Sequence, residues 1–234
     1  MLNYLRDPTK NITTVENPVE YRLSGINQIQ IKPEINLDFA KSLRAILRQD
    51  PDIILIGEIR DKETVEIAIK ASLTGHLVLS TFHTNDAPSA ISRMIYMGIE
   101  PYLLASTLNL IIAQRLVRRI CEHCKEPIKI SETIASRLGI DMEKAQSAVF
   151  YHGKGCKRCG ETGYLGRLPI FEFLVIDNEI REKLFAGANE SQVKKMMEKK
   201  GYGGLLKSGV SKILQGLTTP EEVLNVTCME NTKE

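Results

Sequence analysis

The sequence predicts an α/β protein built on a parallel sheet, and three observations carry that prediction. First, two short apolar runs, Ile53–Ile56 and Leu77–Leu79, are bounded by turn-forming residues, the earlier one by Asp50-Pro51-Asp52 and Gly57. Runs this short read as strands buried on both faces of a parallel sheet. Second, the segment between them, 62–73, sets Val65, Ala68, Ile69 and Leu73 at helical spacing, with Gly75 where a helix C-cap belongs. Third, each run delivers polar residues at its C-terminal end. Glu58, Arg60 and Asp61 follow the first, and Ser80, Thr81, His83, Thr84, Asn85 and Asp86 follow the second. Open parallel sheets bind ligands at the carboxyl ends of their strands. Glu58 and His83 are therefore expected to share a crevice.

The chain has 234 residues, enough for one large domain or two small ones with a sizeable core. Its 31 Lys and Arg stand against 29 Asp and Glu, so no global field draws it to nucleic acid. No apolar run approaches the roughly 20 residues that cross a bilayer. The greasiest segment, 103–113, is broken by Ser106, Thr107 and Asn109. The opening MLNYLRDPTK lacks the apolar region of a signal peptide, which predicts a cytoplasmic chain.

Taken in order, residues 1–10 read as the tail of a helix closed by Asp7-Pro8, and 11–15 (NITTV) as a β-branched strand. After Pro33, a helix is expected over 38–48. It puts Phe39, Leu43, Ile46 and Leu47 on one face and sends Lys41, Arg44 and Arg48 elsewhere. Asn85 or Asp86 can cap a helix running to Met97, with Ile91, Met94 and Ile95 inward and Gly98 ending it. A second, largely apolar helix is expected over 101–120. That helix would place Arg115, Arg118 and Arg119 near its C-terminus, where cations are favoured. Residues 178–226 read as short helices. Leu205, Leu206, Val210, Ile213 and Leu214 line one of them, and Thr219-Pro220 opens the last as N-cap and N1. The end from about Glu230 is expected to fray.

Four of the five cysteines form two pairs, Cys121-x-x-Cys124 and Cys156-x-x-Cys159. In a reducing compartment this spacing points to tetrahedral thiolate coordination of structural Zn²⁺ rather than to disulfides. The gap between the pairs exceeds that of an ordinary zinc ribbon, and residues 131–148 are expected to form a helical insertion within it. His123 and His152 are alternative ligands, and Cys228 reads as an ordinary thiol. The expected organisation is residues 1–120, 121–165 for the cysteine insertion, and 166–234 as a mostly helical region.

An aliphatic run ending in an acid is common by itself, and a solvated strand-end glutamate would explain it. The longer wording is more specific. GEIRD followed by TGHLVLSTFHTNDA resembles the Walker B and His-box segments of the ATPases that drive type II secretion and type IV pilus assembly. TVENPVE, ending at Glu20, resembles their Asp box, with Asn17 where the family usually carries Asp. The resemblance extends through the four-cysteine insertion to GYLGRLPIFEFLVIDNEIREKL, which matches assembly-type members; retraction-type members lack the insertion.

The resemblance implies an ATP- and Mg²⁺-dependent motor with a P-loop NTPase core of the RecA-like kind. It implies a homo-hexamer in the cytoplasm, held at the inner membrane through a platform protein, with no transmembrane segment and no direct nucleic acid. By the same route, Glu58 is the Walker B acid and Glu16 the Asp-box acid and water-activating base. Arg44, Arg48 and Arg60 are candidate phosphate contacts, since a guanidinium stays charged and grips phosphate bidentately. His76 and His83 would sense the γ-phosphate or stabilise a subunit interface. No G-x-x-x-x-G-K-[S/T] loop occurs in the 234 residues. Family members carry it, with the first core strand, just upstream of the segment matching 2–6, so the chain corresponds to their C-terminal part. The rival reading is a zinc-containing scaffold that docks a partner without turning over ATP.

Overall fold

The computed structural model describes residues 1–228; the expected fraying beyond Glu230 and the side chain of Cys228 lie outside the described residues. In chain order the elements are α1 (Leu2–Leu5), β1 (Ile12–Glu16), β2 (Asn27–Gln30), α2 (Phe39–Ile46), β3 (Ile53–Ile56), α3 (Lys62–Leu73) and β4 (Leu77–Ser80). Then come α4 (Ala87–Tyr96), α5 (Pro101–Thr107), β5 (Leu110–Ile120), β6 (Lys125–Ile128), α6 (Glu132–Arg137), α7 (Met142–Ser147), β7 (Phe150–Gly153) and β8 (Tyr164–Val175). Helices α8 (Asn178–Phe185), α9 (Glu190–Lys199), α10 (Leu205–Leu214) and α11 (Pro220–Cys228) complete the chain. The chain divides into two compact units.

The first unit comprises Met1–Thr84, Pro88–Asn109 and Ile176–Val193. Its four strands are all parallel, in the order β2-β1-β3-β4. The expected strand–helix–strand unit is β3-α3-β4. Ile53, Ile54 and Ile56 are buried, as a strand covered on both faces requires, but Leu77 is 43% exposed because β4 is an edge of this sheet. The helices begin where acidic caps dictate. Asp38 accepts from the Lys41 amide at 2.8 Å to start α2, and Asp61 accepts from the Thr64 amide at 2.8 Å to start α3. Gly75, at φ +103°, takes the chain out of α3 and into β4. Arg181 of α8 donates to the carbonyls of Ala105 and Leu108 at the end of α5, which satisfies groups that a helix terminus leaves open.

The second unit comprises Asn85–Ala87, Leu110–Val175 and Lys194–Glu234. Here the helix expected over 101–120 is corrected. It stops at Thr107, and Leu110–Ile120 is a strand paired antiparallel with β8 from Leu110 opposite Val175 to Ile120 opposite Tyr164. The mistake has a physical source. Ala113, Val117 and Ile120 are the buried positions of β5, and their spacings of four and three imitate a helical stripe. The strand conformation is set by pairing with a segment distant in sequence, so local periodicity misreads it. Arg115, Arg118 and Arg119 accordingly sit on a strand rather than at a helix end.

Behind the ribbon, Val117, Leu138, Ile140, Phe150, Ile170, Leu205, Ile213, Val223 and Leu224 form one buried cluster. The insertion between the cysteine pairs is helical as expected, in the two short pieces α6 and α7. Leu205 and Ile213 of α10 point inward, whereas Leu214 is 47% exposed. Thr219 caps α11 as anticipated, its Oγ1 accepting from the Glu222 amide at 3.2 Å.

Glu222 itself is buried and accepts from both the Arg118 amide at 3.0 Å and the Arg118 guanidinium at 2.5 Å. Burial pushes its carboxyl up, but the hydrogen bonds and charge of Arg118 outweigh that and leave it below the ordinary value. A carboxyl lowered in the folded state contributes stability that is present above its unfolded pKa, about 4.3, and lost as pH falls through the lowered folded value. Glu222→Gln should therefore cost about 1–3 kcal/mol at neutral pH. It should also flatten the loss of melting temperature on acidification, as thermal scans across the acid range will show.

Candidate functional site

Strands β1, β3 and β4 end at one edge of the sheet, with Val15 opposite Ile56 and Ile56 opposite Ser80. The side chains that follow them are brought together there. Gly57 allows the close approach: its amide donates to the Val15 carbonyl at 2.7 Å, and a Cβ would lie 3.1 Å from that oxygen and 3.2 Å from the Glu16 Cα. Thr81 Oγ1 donates to the Gly57 carbonyl at 2.5 Å, Ser80 Oγ to the Ile56 carbonyl at 3.1 Å, and the Ile59 amide to the Thr81 carbonyl at 3.2 Å. Residues 57–59 are thereby stitched to 80–81, which fixes where Glu58 emerges.

The Glu58 side chain is only 13% exposed. Its Oε2 accepts from Arg60 Nε at 2.8 Å and lies 3.5 Å from His83 Nε2. The expected meeting of Glu58 and His83 is thus present, and Arg60 joins it. Arg60 and His83 are largely exposed, so screening keeps the pairings weak and available for exchange with a ligand. On the adjacent strand end, Glu16 Oε1 accepts from Thr14 Oγ1 at 2.5 Å and from Gln28 Nε2 at 3.0 Å, two donors that orient the carboxylate. Thr14 was legible as an i, i+2 neighbour on one strand face. Gln28 was not, because its position depends on the β1–β2 register that sets it opposite Thr14.

The other candidates are elsewhere. Arg44 forms an ion pair with Glu63 in the first turn of α3, and Arg48 donates back to the Arg44 carbonyl at 3.0 Å. His76 precedes β4, at the end of the strand opposite His83. Its Nδ1 lies 2.9 Å from the Ala71 carbonyl and 3.1 Å from Thr74 Oγ1, at the C-terminus of α3. The geometry gathers Glu58, Arg60 and His83 at the strand ends, with Glu16 on the neighbouring strand, and does not bring Arg44, Arg48 or His76 into contact with them.

The four cysteines form a second centre. The sulfurs of Cys121, Cys124, Cys156 and Cys159 all lie within 4.8 Å of one another, with separations of 3.7 Å for Cys156–Cys159 and 3.9 Å for Cys121–Cys156 and Cys124–Cys159. A tetrahedron with Zn–S bonds of about 2.3 Å has edges of about 3.8 Å, so the donor set fits zinc. Neither His123 nor His152 belongs to the cluster. Burial pushes the Cys124 thiol up. Burial acts on Cys159 in the same direction, but the amides of Cys156 and Gly163 pointing at its sulfur, at 3.2 and 3.3 Å, hold it below the ordinary thiol value. Such amide donors favour a thiolate, the form that ligates metal.

The two knuckles close through glycine backbones packed face to face. A Cβ on Gly153 would lie 2.0 Å from the Gly163 carbonyl oxygen, and one on Gly163 would lie 2.3 Å from that of Gly153. Backbone cannot swing aside as a side chain does. Gly153→Ala is therefore expected to destabilise the second unit by at least the roughly 1–3 kcal/mol of an overpacked core, and zinc retention during dialysis against a weak chelator should fall with it.

The sequence profile of the Type II/IV secretion system protein family matches residues 1–225. The chain is 51% identical over 224 residues to the type IV pilus assembly ATPase PilB of Thermus thermophilus, covering 96% of this chain and 25% of that protein. It is 47% identical over 226 residues to type II secretion system protein E of Pseudomonas aeruginosa, covering 97% and 44%. It thus spans less than half the length of these curated relatives. Among solved structures, the pilus retraction motor PilT with bound ADP superimposes with a TM-score of 0.67 at 27% identity, covering 93% of this chain and 52% of PilT. The Legionella pneumophila ATPase DotB, at 21% identity and TM-score 0.64, shares the fold. With the parallel sheet, the acidic strand ends and the cysteine cluster in place, a match over nearly its whole described length shows that this chain belongs to the type II/IV secretion system protein family.

Proposed function

We propose that the chain forms the C-terminal part of a motor ATPase for type II secretion or type IV pilus assembly, with its hydrolytic site at the ends of β1, β3 and β4. The observation that carries this reading is the mostly buried Glu58 at the end of β3, touched by Arg60 and facing His83, beside Glu16 on the neighbouring strand. ATP with Mg²⁺ would supply the phosphoryl group and the charge that neutralises it. A carboxylate oxygen is the donor that hard Mg²⁺ prefers, which suits Glu58 to hold the ion. Glu16, oriented by Thr14 and Gln28, is suited to take a proton from water. Arg60 can leave Glu58 for a phosphate oxygen, and His83 can hydrogen-bond one. Arg44 and Arg48 remain candidates for phosphate in a neighbouring subunit of a hexamer, and His76 suits a subunit interface better than the phosphate.

The high identity to PilB and to type II secretion protein E, together with the zinc-fitting cysteines, supports an assembly-type member in the cytoplasm, docked on an inner-membrane platform protein. No helix among the described residues is long and apolar enough to cross a membrane. The test is phosphate release from ATP by a protein carrying these 234 residues behind a phosphate-binding loop. Release that requires Glu58 supports the motor. Bound ATP without release at any Mg²⁺ concentration favours the zinc scaffold.

A further inference from the structure

Strand β2 holds Glu16 twice over. The Ile31 amide, just past the strand, donates to the Glu16 carbonyl at 3.0 Å, and Gln28 within it reaches the carboxylate. Gln28 is partly buried and uses its whole amide group. Its Nε2 donates to Glu16 Oε1 and to the Tyr21 carbonyl, both at 3.0 Å, and its Oε1 accepts from the Leu23 amide at 2.6 Å. Two residues along the same strand face, Gln30 Oε1 accepts from the Val19 amide at 3.3 Å. Residues 17–23, which leave Glu16 and turn back toward β2, have no helix or strand of their own, and these two glutamines tie them down. The Glu16 carboxylate thereby has one oxygen engaged and one open. Oε1 accepts from both Thr14 Oγ1 and Gln28 Nε2, while no described residue donates to Oε2. All of these residues lie in the first unit.

We propose that Gln28 is a positioning residue: braced against the 19–23 segment, it fixes the Glu16 carboxylate so that Oε2 is the oxygen that takes the proton. This rests on the hydrolytic reading above only for its consequence. Oε1 already accepts two hydrogen bonds, the usual capacity of one carboxylate oxygen, so the oxygen left for water is Oε2. Thr14 alone would not fix it, since a carboxylate held by one hydrogen bond can still turn about that bond. The second donor comes from the neighbouring strand and removes that freedom. Glutamine is the side chain this position needs. Its three contacts demand two donors and one acceptor at the end of a two-carbon stem; Asn is a carbon shorter, Glu lacks the donors, and Lys or Arg lacks the acceptor. The partners also fix which way the amide points. Turned over, it would set oxygen against Glu16 and the Tyr21 carbonyl, and N–H against the Leu23 amide.

Three variants separate orientation of the carboxylate from support of the segment. In the zinc-loaded chain, side-chain scalar couplings are expected to show a single Glu16 rotamer, and rotamer averaging in Gln28→Met. The Leu23 amide should exchange with solvent about tenfold faster in that variant. Gln28→Glu keeps an acceptor for Leu23 but has no donor for Glu16, so it should retain the amide protection and still free the carboxylate. In a protein that also carries the phosphate-binding loop, both Gln28 variants should lower kcat about tenfold with KM for ATP within about twofold. That is the pattern left by losing an interaction made in the transition state rather than in binding. Gln30→Met releases Val19 alone and should keep the parent turnover. A single Glu16 rotamer in both Gln28 variants would overturn the proposal. So would a Gln30→Met variant slowed as much as Gln28→Met, which would make support of the segment the cause. The rotamer is read without nucleotide. A freed Glu16 with undiminished ATP turnover would therefore count against Glu16 as the base and leave its positioning by Gln28 standing.

Discussion

Removing zinc is expected to abolish the cooperative unfolding transition of the second unit. The sulfurs of Cys121, Cys124, Cys156 and Cys159 are already spaced for one tetrahedral ion, so elemental analysis of protein purified without chelator should find about one zinc per chain. Structural zinc contributes an apparent 10–16 kcal/mol or so in finger peptides near neutral pH. That is of the same order as the roughly 5–15 kcal/mol of net stability of a whole domain. Three of the four thiols are buried, and among the described residues the hydrophobic cluster around them is made up of the cysteines themselves. Without the ion, the knuckles that carry the ends of β5, β6 and β8 have little else to hold them. Cys121→Ser or Cys159→Ser should reproduce the loss and lower solubility before any nucleotide chemistry is affected. Purified protein free of zinc yet melting cooperatively at the same temperature would contradict this.

In a protein that carries the phosphate-binding loop, Glu58→Gln and Glu16→Gln are each expected to suppress ATP turnover by about 10²–10⁴ while ATP binding stays nearly intact. The amide keeps the shape and one acceptor oxygen but loses the charge that holds a metal ion or receives a proton. Phosphoryl transfer draws its rate almost wholly from positioning and charge stabilisation, so a small change of charge at the right atom has a large effect. Binding energy comes mainly from elsewhere on the nucleotide, which is why affinity should survive. The comparison also separates roles: Glu58→Gln should shift the Mg²⁺ requirement upward, whereas Glu16→Gln should lower turnover at every Mg²⁺ concentration. Turnover within about threefold of the parent in both variants would remove the two acids from the mechanism, because a well-placed general base alone typically contributes about 10²–10⁴.

Much of this was legible in the sequence, and the reason is physical. β3, α3 and β4 are specified locally, by aliphatic runs, an aspartate cap and a glycine exit, so a reader of 50–86 recovers both the elements and the meeting of Glu58 with His83. The gathering of the four cysteines was legible because a CxxC knuckle carries its geometry in its spacing. β5 was not, since its buried residues repeat like a helix and its conformation comes from pairing with β8, far along the chain. The pairing of Arg44 with Glu63 and the folding of His76 back onto α3 were equally hidden, because both depend on how helix and strand ends meet.

The most direct measurement of the central claim is paramagnetic broadening of the four histidine side chains by Mn²⁺ replacing Mg²⁺ on bound ATP, in a protein carrying both the phosphate-binding loop and these 234 residues. With the nucleotide's metal ion held at the ends of β1, β3 and β4, the His83 resonances should broaden most, and the broadening should fall sharply in Glu58→Gln. Sharp His83 signals, with His123 or His152 broadened instead, would place the nucleotide's metal ion away from Glu58 and contradict the account.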